Sequence, residues 1–171
     1  MNTIEQDIWT WITDFVEVNH KFYNYNFPPC PYARAARLKG EVSILVWQKG
    51  SMLKFVNQSI KTTTTKQTVL VFPWWMKWHW AFHWWIRYKN KTLAADNLYA
   101  QYGIAQQTKS QFSGIGHNKP YFIVIVNTLD DVVEGHLKLL NTDYYKNWDK
   151  SHYNNVVSRR NNIYQKHRNK Q

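Results

Sequence analysis

The sequence predicts an α/β chain of the α+β kind. The expected form is a two-layer sandwich: about four strands in an open, ferredoxin-like sheet, with helices packed on one face. Three observations carry that expectation. Segments with apolar residues every three or four positions are interleaved with short, continuous apolar runs. Two of those runs, Val69-Leu70-Val71-Phe72 and Tyr121 to Val126, lack the alternation of a half-exposed strand, which places them centrally. Ten Trp, eleven Tyr and eight Phe in 171 residues give far more apolar surface than a disordered chain carries. Residues 1–171 are read as one domain, closed by a basic C-terminal helix over about 151–167.

The elements follow in order. Ile4, Ile8, Trp11, Ile12, Phe15, Val18 and Phe22 recur at helical spacing and predict a first helix over 4–23. Phe27-Pro28-Pro29-Cys30-Pro31 breaks it. Tyr32 to Leu38 predicts one or two helical turns, with Pro31 at the first position and Gly40 at the end. Val42 to Trp47 reads as a buried strand, Lys49-Gly50-Ser51 as a turn, Met52 to Gln58 as a second strand and Lys66 to Phe72 as a third. A long helix is expected from Trp74 to Tyr102, ended by Gly103. Gln111 to Lys119 reads as a polar loop, and Pro120 to Val126 as the clearest strand. Thr128 is expected to cap a helix over Leu129–Leu140, with Asp130 and Asp131 in its first turn. Ser151 is expected to cap a last helix over His152–Lys166.

Charge narrows the partners. Twenty-two Lys and Arg face eleven Asp and Glu, a formal net of +11. The first twenty residues are acidic, while 21–128 and 141–171 are strongly basic. A basic middle and tail attract nucleic acid or another anionic partner. Lys outnumbers Arg and Asn is abundant, the mix of an AT-rich bacterial or viral genome. Carboxylates are scarce: Glu41 and Asp96 are the only two between residues 21 and 128. That argues against a two-carboxylate glycosidase and a multi-carboxylate magnesium nuclease. One cysteine excludes an intrachain disulfide and fits a reducing, cytoplasmic setting. No signal peptide opens the sequence, and no apolar run of about 18 residues predicts a transmembrane segment.

Two sets of residues could carry function. Cys30 lies between prolines. At the N-cap of a helix opened by Pro31, and near Arg34 and Arg37, it would favour the thiolate. His117 is a candidate partner for it; the plain alternative is a small buried thiol beside a proline turn. The second set is Trp80, Trp84, Arg87 and Lys91 on the long helix, with Arg159, Arg160 and Lys166 on the last one. Exposed Trp among cations stacks bases, lies at a membrane interface or anchors a protein partner. The alternative is a thick core with incidental exposure. His79 and His83 share a helix face but lack a third ligand, so no metal site is expected. The loop Gln111 to Lys119 has neither a dinucleotide-binding nor a Walker pattern. No cofactor is identified.

Cys30-Pro31-Tyr32-Ala33, preceded by an aromatic helix and followed by a strand, resembles an uncharacterised bacterial family that carries a Leu-Cys-Pro-Phe-Ala motif. The order is similar over about residues 9 to 140: Val69-Leu70-Val71-Phe72-Pro73, a long helix, a loop, a Pro-aromatic strand and a helix. Pro29 stands where the family has leucine, and only Phe112 and His117 answer to its His-Pro stretch. The resemblance implies an outline of the fold and no activity.

Three functions are therefore expected in turn. The first is a basic, aromatic-rich binding protein for an anionic partner, most simply nucleic acid. The second is a Cys30-centred enzyme or thiol-dependent small-molecule protein. The third is a protein–protein adaptor or homo-oligomer that uses the Trp-rich helix.

Overall fold

The computed structural model describes residues 3–62, 65–73, 79–105 and 121–169. The chain begins with α1 (Thr3–Trp11), which continues into a π-helical turn, Ile12–Val16. It does not run to residue 23 as its periodicity suggests. His20 takes extended backbone angles (φ −114°, ψ 145°), through which a right-handed helix cannot pass, and Lys21–Tyr23 form a separate 3₁₀ turn. Next come α2 (Ala33–Leu38), β1 (Val42–Val46), α3 (Met52–Thr62) and β2 (Gln67–Pro73). Then follow α4 (His79–Leu93), β3 (Leu98–Ala105), β4 (Tyr121–Thr128) and α5 (Leu129–Leu140). The chain closes with α6 (Lys150–Tyr153), a second π turn (Asn154–Ser158) and α7 (Arg159–Arg168).

The α+β class with an open four-stranded sheet holds, but two strand assignments change. Met52 to Gln58 is helical. The Ser51 hydroxyl accepts from the Lys54 N–H at 3.3 Å, and Met52, Phe55, Val56, Ser59 and Ile60 form one inward stripe. The strand that replaces it comes from the end of the expected long helix. α4 stops at Leu93, and a 3₁₀ turn leads to Asn97 at φ 55°. From Leu98 onward the chain pairs antiparallel with β4, Leu98 opposite Thr128 and Tyr102 opposite Val124.

The strand order is β1-β2-β4-β3, with β1 and β2 parallel and the other pairs antiparallel. This is not the expected ferredoxin-like arrangement, because no strand is inserted between the parallel pair. β1 is an edge strand, so the strand expected to be buried over Val42 to Trp47 is only partly covered.

Helices cover both faces instead of one. On one face Leu70, Phe72, Phe122, Val124, Val126 and Ala100 pack under Val56 of α3 and Phe82 and Ile86 of α4. On the other, Val69, Val71, Tyr121 and Ile123 meet Ile8 and Ile12 of the first helix. Further along, Tyr99 packs with Leu129 and Val133 of α5, and Ile163 and Tyr164 of α7 join them. β2 and β4 have apolar side chains on both faces, so a cover on one side alone would leave half of them in water. A smaller cluster of Tyr23, Leu139 and Tyr144 pins the proline-rich segment. There the Tyr23 and Tyr144 rings stack at 4.6 Å, and the Tyr144 hydroxyl donates to the Pro29 carbonyl.

Candidate nucleic-acid interface

The two candidate sets fare differently. α2 begins at Ala33 with Tyr32 at its N-cap, so Cys30 stands before the helix and not at its cap. Burial pushes the Cys30 thiol up, and Glu17 pushes it the same way, against backbone N–H groups of Tyr32 and Ala33. Arg37 does not serve the thiol. Its Nε and Nη2 hold Glu17 at 2.7 and 2.8 Å, the geometry of a bidentate guanidinium–carboxylate pair. Arg34 is exposed. The expected thiolate is therefore corrected: the surroundings of Cys30 favour the neutral thiol. His117, the loop Gln111 to Lys119 and Trp74, Trp75 and Trp78 lie outside the described residues, as do the side chains of His79 and Trp80.

The basic set does converge. Lys91 of α4 and Arg159 and Lys166 of α7 line one open groove of about 430 Å³. Asn154, Ser158, Asn162 and Ile163 complete its wall, and none of these lining residues is acidic. The π turn Asn154–Ser158 carries an extra residue in the last helix, which resets which side chains face inward after it. Val157 and Arg160 then point into the protein while Arg159 faces the groove. The last helix is capped by Asp149, whose carboxylate accepts from the His152 N–H at 2.7 Å, and not by Ser151.

α4 reaches the groove through Lys91. Burial and the nearby Arg159 both lower the pKa of Arg87, so these two cations are close in space. Burial, Arg87 and Arg159 lower that of His83, whose ring stacks on Tyr102 at 4.9 Å. Trp84 and Tyr88 stand out from the same helix, 61% and 65% exposed. The Arg87 guanidinium lies 5.0 Å from the Trp84 ring centre, and the Lys91 ammonium 5.5 Å from that of Tyr88. Trp85, by contrast, is half-buried against the core beside Phe82.

Arg160 is the correction within this set. It is 5% exposed and lies among Tyr99, Tyr145 and Tyr153, with Nε and Nη2 lacking a hydrogen-bond partner. It belongs to the interior, not to the basic surface. Tyr88 is the residue that sequence reasoning missed. Its signal was its place one turn after Trp84 and three residues before a cation.

Among the described residues, no three His, Cys, Asp or Glu side chains gather closely enough to hold a metal ion. No helix among them is long and apolar enough to cross a membrane. Comparison with protein-family models, curated proteins and solved structures finds no match.

Proposed function

We propose that this protein binds nucleic acid through the face formed by α4 and α7. One observation carries the reading: Lys91, Arg159 and Lys166, from helices far apart in sequence, line a single groove without a carboxylate. Cations gathered without counter-charges repel one another, and an anionic polymer relieves that repulsion. Phosphates supply a repeating negative charge, and the counterions they release drive association. Arg87 and Arg159 add to the repulsion, since each lies within electrostatic reach of the other.

The test is a titration with a fluorescently labelled oligonucleotide at about 50 and about 200 mM salt, the range over which phosphate contacts lose most affinity. Binding that weakens steeply between the two supports the reading. No binding at the lower salt overturns it.

A further inference from the structure

Resting on that reading, we propose that the strand held here is single-stranded, with two unpaired bases stacked on Trp84 and Tyr88. Among the described side chains of α4, these two rings are the exposed aromatic ones, four positions apart, so they project from one side of the helix. Each has a cation three residues later that packs on it: Arg87 on Trp84, Lys91 on Tyr88. The helix therefore repeats one unit, a flat ring with a positive charge beside it, once per turn. That is the pair of features a nucleotide presents in complement, a base face and a phosphate.

Spacing selects the strand class. Four residues of helix rise about 6 Å. Bases stacked in a duplex strand are about 3.4 Å apart, and their faces are covered by their neighbours. Rings at the wider spacing find free base faces only on a strand whose bases are unstacked and splayed. The second cation of the repeat, Lys91, is also a wall of the groove that holds Arg159 and Lys166. A strand laid on the two rings thus passes directly into the cationic groove.

The experiment compares an oligothymidylate of about 12 nucleotides with a duplex of the same length, by fluorescence anisotropy at about 50 mM salt. The paired change Trp84→Ala with Tyr88→Ala leaves every cation in place. It is expected to weaken single-strand binding at least about tenfold, since base–aromatic stacking is lost at two positions. Duplex binding and the salt dependence are expected to stay within about twofold of wild type. The paired change to Phe is expected to restore most of the single-strand affinity, and circular dichroism establishes that both variants are folded. If the Ala variant binds the single strand like wild type, or loses both forms equally, the stacking proposal is overturned while the groove reading stands. If wild type binds neither form, both fall together.

Discussion

Asn90 and Ala100 are joined by two hydrogen bonds of 2.8 Å: the Ala100 N–H donates to Asn90 Oδ1, and Asn90 Nδ2 donates to the Ala100 carbonyl. Ala100 belongs to β3, an edge strand whose outer backbone groups meet no further strand among the described residues. The buried amide of Asn90 takes that place and fastens α4, with its exposed rings and cations, to the sheet. Asn90→Leu is expected to leave both Ala100 groups buried and unsatisfied, at a cost of about 2–4 kcal/mol. Urea unfolding of the two proteins reads this. An unchanged midpoint would show that the clasp contributes nothing.

A second amide performs a similar task for α5. The Asn97 carbonyl accepts from the Leu129 N–H at 2.8 Å, and its side-chain oxygen from the Asp130 N–H at 3.1 Å. Thr128, the residue expected to cap this helix, makes no side-chain cap bond. Asn97→Ala should lower stability by about 1–2 kcal/mol, because it removes the cap and strains a left-handed backbone. Thr128→Ala should cost less. Thermal melts that ranked the two variants the other way would contradict this assignment.

Acid should loosen the protein through His136. This ring is 3% exposed, shares a hydrogen bond with the Tyr145 hydroxyl at 3.0 Å and lies near Arg160. Burial, then Arg160, lowers its pKa below the ordinary 6.5. The unfolded chain therefore binds a proton more readily than the folded one. Stability from this group is complete above about pH 6.5 and is lost as pH falls towards and through the folded value. Tyr145, Tyr153 and Arg160 face the ring, and none of them reverses that sign. His136→Gln should flatten the fall in unfolding midpoint between about pH 7 and 5. An equally steep fall in the variant would assign the acid sensitivity elsewhere.

Cys30 should be a slow nucleophile. Burial holds its thiol above the ordinary value, so the thiolate fraction at neutral pH is small. Iodoacetamide should modify native Cys30 more slowly than a free small thiol. Cys30→Ala should leave nucleic-acid binding unchanged. Modification faster than the free thiol would restore the activated cysteine.

Much of the layout was legible in the sequence, and the failures have physical causes. β2, β4 and α5 emerge almost where their patterns put them, because burial on both faces or a single apolar stripe leaves a strong periodic signal. Met52 to Gln58 misled because short apolar segments suit either state; Ser51, ready to cap a helix, was the local clue. α4 was extended too far because Tyr99 and Tyr102 continue its aromatic spacing. The turn at Asn97 depends on contacts with residues 129 and 130, which no local pattern records. Lys91, Arg159 and Lys166 were singled out as basic residues, but their meeting in one groove is a product of tertiary packing. Arg160 shows the reverse: adjacent to Arg159 in sequence, it is turned inward by the helical step between them.

The most direct test of the basic face is the slope of log affinity against log salt, for wild type and for Lys91→Ala, Arg159→Ala and Lys166→Ala combined. Three lost phosphate contacts should make the slope shallower by about 2 and weaken binding at low salt by at least about tenfold. A variant with wild-type slope and affinity would contradict the account, since nucleic acid would then be held elsewhere on the molecule.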